Sequence, residues 1–129
     1  MERQNKLIYE ELSYLLNGFL FAVHNRLGRF AREKQYGDAF EQLLQQATIP
    51  HQREFAIQHA DLPNRSNVAD FIIDEKILLE FKSKPRLFRE DFSQVLRYLK
   101  CSGLKLGILV NFRSPVLKPH RILNSEAKE

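Results

Sequence analysis

The chain has 129 residues, 43% of them hydrophobic and ten of them Phe, which suits one domain with its own core. Its net charge is +4, and its single cysteine, Cys101, excludes both an internal disulfide and a cysteine-built zinc site. The N-terminal MERQNKLIYEEL lacks the apolar core and cleavage site of a signal peptide, and no apolar run approaches a membrane span; cytoplasmic residence without a membrane is expected.

Residues 5–27 predict a helix, because Leu7, Leu12, Leu15, Leu16, Phe19, Leu20, Val23 and Leu27 recur at helical spacing and Leu27-Gly28 ends or bends it. A second helix, about 31–46, aligns Tyr36, Phe40, Leu43 and Leu44 and closes at Thr48-Ile49-Pro50. The period then changes to two. Phe55, Ile57 and His59 alternate with Ala56 and Gln58 in a strand that ends at the turn-rich 61–67. Val68–Ile73 and Ile77–Phe81 follow as two strands joined by a charged turn. After Pro85, residues 87–101 predict a helix with Phe88, Phe92, Val95, Leu96 and Leu99 inward and Gly103 as its stop. Leu106–Phe112 reads as a central strand inserted parallel to a neighbour, and Arg121–Leu123 as a last short strand. Asn124 onward reads as fraying, so the domain is placed at 1–124 and the tail at 125–129. The order ααβββαβ predicts an α/β sandwich with a mixed sheet.

Charge is concentrated late in the chain. Between Phe81 and Arg121 there are ten Lys/Arg against Glu90 and Asp91 alone, a local excess of the kind that attracts polyanions.

The hairpin VADFIIDEKILLEFKSK carries three charges in an apolar frame, Asp70, Glu80 and Lys82. Glu80 and Lys82 share a strand face with Leu78, opposite Ile77, Leu79 and Phe81. If Asp74–Lys76 form a three-residue loop, Ile73 pairs with Ile77 and Asp70 lies opposite Glu80, with Cβ atoms about 5 Å apart. A two-residue loop would instead pair Asp70 with Leu79 and send Glu80 to the other face. Two carboxylates that close repel unless a cation sits between them, and Mg²⁺ or Mn²⁺ suits them better than zinc. Lys82 would stand beside that ion, placed to stabilise negative charge on phosphate. The alternative is a solvated ion-pair cluster on an open sheet face. Gln94 and Tyr98 stand at i and i+4 on the following helix, and Glu33 and Tyr36 at i and i+3 on the second.

Asp70, then Glu80-Phe81-Lys82, then Gln94-Val95-Leu96-Arg97-Tyr98 resembles the PD-(D/E)XK nuclease superfamily, with the Q-x-x-x-Y helix of its RecB-like branch. More closely, Leu27-Gly28, Glu33 and Tyr36, with Tyr98-Leu99-Lys100, Gly103-Leu104, Leu106-Gly107 and Asn111-Phe112, are similar to the small bacterial GxxExxY proteins. Phe30 replaces the first Gly of that pattern, and Ala69 the Pro of the PD motif. The resemblance spans roughly residues 10–123. It implies a restriction-endonuclease-like fold and a metal-dependent nuclease acting on nucleic acid, DNA first, with Mg²⁺ or Mn²⁺ as cofactor. It implies Asp70 and Glu80 as metal ligands with Glu33 as a further active-site acid, Lys82 as the catalytic lysine, and Gln94 and Tyr98 as substrate-side or orienting groups. Lys84, Arg86, Arg89 and Arg97 are the cations expected on the nucleic acid. A non-catalytic nucleic-acid- or protein-binding module on the same fold is the rival reading. A homodimer or a partner protein would supply the specificity for which so short a chain has little room.

Overall fold

The computed structural model describes residues 8–58 and 67–127 of the chain. Two helices come first, α1 (Glu10–Leu27) and α2 (Glu33–Gln46), followed by the strands β1 (His51–Ala56), β2 (Val68–Ile73) and β3 (Ile77–Lys82). Helix α3 (Arg89–Ser102), β4 (Leu106–Asn111) and β5 (His120–Leu123) complete the order. The strands form one sheet in chain order, β1-β2-β3-β4-β5, antiparallel except for the β3–β4 pair, which is parallel. That parallel step is what α3 makes possible, since parallel neighbours need a crossover.

Two cores follow from strand alternation. Phe71, Ile73, Ile77, Leu79, Phe81, Ile108 and Val110 face α1 and α2, whereas Ala69, Ile72, Leu78 and Leu109 face α3. Strand β4 is buried along its whole length, the expected result for an apolar run covered on both faces. Helix α1 ends at Gly28 with φ 78°, and α3 ends at Gly103 with φ 80°, both in the region that favours glycine.

Several sequence expectations are corrected. Leu15 is 42% exposed, because it lies about 100° around α1 from the buried Leu16. Phe88 is exposed rather than inward. It precedes α3 with extended backbone, and its N–H is taken by Asp91 Oδ2 at 2.7 Å. Strand β1 starts at His51, earlier than the alternation at Phe55 suggested; His59 and Leu7 lie outside the described residues. Asn124, placed at the fraying end, is buried and donates through Nδ2 to the carbonyls of Leu99 and Leu104. None of the described helices is long and apolar enough to cross a membrane.

Candidate active site

Register decides whether Asp70 and Glu80 meet. Asp74 and Glu75 both adopt left-handed backbone, and the Lys76 N–H bonds the Ile73 carbonyl, which makes the loop three residues long. Ile73 therefore faces Ile77, Ile72 faces Leu78 and Phe71 faces Leu79, so the next step along the register brings Asp70 to Glu80.

There the ladder opens, and side chains take over the backbone's partners. Asp70 Oδ2 accepts the Phe81 N–H at 2.6 Å, while Glu80 Oε1 accepts the Asp70 N–H at 3.4 Å. Lys82 Nζ stands 3.6 Å from Glu80 Oε2 and donates to Gln94 Oε1 of α3 at 3.1 Å. Tyr98, one turn beyond Gln94, is buried on the same face of α3 and shares the core beneath that helix with Ala69 of β2. Asp70, Glu80, Lys82, Gln94 and Tyr98 are thus one assembly.

Its electrostatics are those of two acids removed from water. Burial first, and then the Asp70 charge, raise the Glu80 carboxyl to about 8 against the pull of Lys82. Burial likewise raises Asp70 to about 6, opposed by the Phe81 N–H and supplemented by the Glu33 charge. Burial and the Glu80 charge also raise the Tyr98 hydroxyl. Glu33, the first residue of α2, lines a cavity of about 230 Å³ together with Asp70 and Arg53.

The expected cations are placed less uniformly. Lys84 is turned inward, its Nζ 3.0 Å from both carboxylate oxygens of Asp91. Arg86 lies over the Phe88 ring, and Arg89 and Arg97 are exposed on α3.

Two acids of this region escaped the sequence reading. Asp91 is buried, binds Lys84 and comes within 4.0 Å of Lys82. Burial pushes its carboxyl up, but the Phe88 N–H and Lys84 outweigh that and hold it below its ordinary value. The signal was an acid in the first turn of a helix, ordinarily a cap. Glu54 falls opposite Asp70 in the β1–β2 register, lines the same cavity, and holds φ at 55°, rare for a non-glycine residue in a strand. It was missed because the strand was read from Phe55, whereas β1 begins at His51.

Tyr36 and Asn111, both part of the resembling pattern, have structural roles. The Tyr36 hydroxyl donates to the Gly28 carbonyl and accepts the Ala31 N–H, while its ring stacks on Phe112 at 4.1 Å. Asn111 bonds the Lys84 backbone at both N–H and carbonyl, tying the exit of β3 to the end of β4.

A five-stranded mixed sheet between two helical layers, with a D…E-x-K hairpin opening at its centre, defines a restriction-endonuclease-like fold. Residues 10–122 match the PD-(D/E)XK nuclease superfamily, and the chain belongs to it. No match was found among curated proteins or among solved structures.

Among the described residues, no group of three or more His, Cys, Asp and Glu side chains stands close enough to form a cage. The donors at hand are the half-buried Asp70 and the buried Glu80, two carboxylates whose raised pKa values record unrelieved charge. Mg²⁺ typically binds through one or two carboxylates, keeping waters and adding substrate phosphate. The residues fit that mode.

Proposed function

We propose that the chain is a divalent-metal-dependent nuclease that hydrolyses phosphodiesters, with DNA as its first candidate substrate. The observation that carries this reading is the pairing of half-buried Asp70 with buried Glu80, with the Lys82 ammonium 3.6 Å from Glu80 and held in place by Gln94. A solvated ion-pair cluster would not need the strand ladder to open, nor would it sit under α3.

Asp70 and Glu80 would hold the ion, each fixed in orientation by the backbone N–H it accepts. When bound, Mg²⁺ or Mn²⁺ supplies an activated water and polarises the phosphoryl oxygen. Lys82 places a positive charge where negative charge builds on the phosphate. Gln94 orients Lys82, and Asp91 holds the neighbouring Lys84, which keeps two ammonium groups beside the same phosphate path. Tyr98 would brace β2 through the core it shares with Ala69, and Glu33 and Glu54 bring further negative charge to the Asp70 cavity. Arg86, Arg89 and Arg97 would bind the nucleic-acid backbone. The finer placement, among GxxExxY proteins with a RecB-like helix, is part of this reading; it is supported by Tyr36 bracing the loop that leads to Glu33 and by Gln94 and Tyr98 sharing one face of α3.

The absence of a three-acid cage among the described residues favours a second reading, a binding module that keeps the fold without cutting. Cleavage assays on single- and double-stranded DNA and RNA, with Mg²⁺, Mn²⁺ or EDTA, separate the two. The nuclease reading expects metal-dependent cleavage that Lys82→Ala and Asp70→Asn remove. Metal binding without cleavage of any of the four substrates would support the module instead.

A further inference from the structure

Phe30 and Phe88 are exposed, by 73% and 48%, and neither belongs to either core. Each carries cations over its ring. Arg29 and Arg113 lie 4.9 and 5.4 Å from the Phe30 centroid. Lys84 and Arg86 lie 5.1 and 5.2 Å from that of Phe88. The other exposed aromatic rings, Tyr14 and Phe21 on α1, have no such cation among the described residues.

Both aromatic–cation groups are tied to the exit of β3, where Lys82 stands. Arg113 Nη2 donates to the Ser83 carbonyl at 3.4 Å, and Ser83 Oγ donates to the Ala31 carbonyl next to Phe30. On the other side, Lys84 and Lys82 share Asp91. Phe30 belongs to the connection between α1 and α2, and Phe88 precedes α3, so the two rings stand on opposite helical layers with the 82–84 segment between them. Phe30 also occupies the position where the GxxExxY pattern has Gly, although its φ is not in the left-handed region. A large apolar ring there gains no burial.

We infer that Phe30 and Phe88 are base-stacking platforms that select an unpaired nucleic-acid strand and lead it across the Lys82 site. Flat aromatic rings beside guanidinium groups stack any base, while the cations neutralise the phosphates on either side. A duplex cannot use them, because its base faces are already stacked. The inference rests on the nuclease reading for the meaning of the Lys82 site, but the binding it describes is measured without cleavage.

The test is fluorescence anisotropy in EDTA, at one fixed salt concentration, with labelled oligothymidylate, oligouridylate, a duplex and an abasic strand of equal length. The single strands should bind more tightly than the duplex and the abasic strand. Phe30→Ala and Phe88→Ala should each weaken single-strand binding roughly tenfold, the usual loss when one base–aromatic stack is removed. Phe30→Tyr should bind like wild type, abasic binding should be the same in every variant, and melting temperatures should stay within those expected of exposed sites. Equal affinity of wild type and both Ala variants, equal binding of abasic and thymidylate strands, preference for the duplex, or no binding at all would each overturn the inference. Phe-dependent binding of the strand without metal-dependent cleavage would sink the nuclease reading and leave the platforms standing; cleavage with Phe-independent binding would do the reverse.

Discussion

The site's electrostatics set how the metal-free protein responds to pH. The Glu80 carboxyl is raised from 4.5 to about 8, so between those values the folded chain keeps a proton that the unfolded chain has released. The folded state then binds more protons, and stability falls as pH rises. This stabilising contribution is complete below the unfolded value and is lost as pH climbs through about 8. Each pH unit in the window costs up to about 1.4 kcal/mol, so moving from about pH 5 to about pH 7 should cost on the order of 3 kcal/mol, most of it from Glu80. Because the Asp70 charge is already part of the Glu80 rise, the two shifts are not added. For a chain of this size, that loss lowers the melting temperature by roughly 10 °C. The assay is thermal unfolding by circular dichroism in EDTA across this range, with Glu80→Gln as control. The amide keeps an oxygen for the Asp70 N–H but cannot ionise, so its profile should be flatter, and Mg²⁺ should stabilise the wild type most at the alkaline end. Parallel profiles for wild type and Glu80→Gln would refute the placement of Glu80 as a buried, charge-strained acid.

Lys82→Ala should lower cleavage by about 10²–10³ while leaving metal-induced stabilisation in place, as loss of one charge-stabilising donor does; single-turnover assays and melting with Mg²⁺ check both. Asp70→Asn should leave the metal-free protein as stable or more so, and abolish the rise in melting temperature with Mg²⁺ or Mn²⁺. Gly107→Ala should destabilise by about 1–3 kcal/mol in urea unfolding, because the added Cβ would lie 2.7 Å from Val95 Cγ1 of α3. Tyr36→Phe should cost about 1–3 kcal/mol by leaving the Gly28 carbonyl and Ala31 N–H without the hydroxyl they share, read by the same unfolding measurement.

The parts of this molecule legible in the sequence are those that depend on local periodicity or on chain order. The apolar run at Leu106–Asn111 could be buried on both faces only as an inner strand, and it is one. The hairpin register was legible once a three-residue loop was assumed, because strand alternation then leaves no freedom in where Asp70 goes. What stayed hidden depends on contacts between distant segments. Asp91 looks like an ordinary first-turn acid until Lys84 and Lys82 are seen to converge on it from β3. Glu54 becomes part of the Asp70 cavity only through the pairing of β1 with β2. Lys84 was read as a free phosphate contact, but its carboxylate partner lies seven residues on, across the turn into α3.

The site sits where the β2–β3 ladder opens. A continuous β2–β3 ladder would satisfy the backbone of residues 70 and 81 without help and leave no room for two carboxylates in the sheet. Opening the ladder exposes two N–H groups, and an unpaired buried donor is costly, so the residues there must carry acceptors. Asp70 and Glu80 meet that need, each by accepting one of the orphaned N–H groups. Their hydrogen bonds to the backbone hold both carboxylates in one orientation at the cost of mutual repulsion, which the surrounding apolar core sustains: Phe71, Leu79 and Phe81 on one face, Ala69 and Leu78 on the other. The charge that destabilises the metal-free fold is therefore the charge that would hold a cation, and the sheet supplies the rigidity that keeps it from relaxing into solvent.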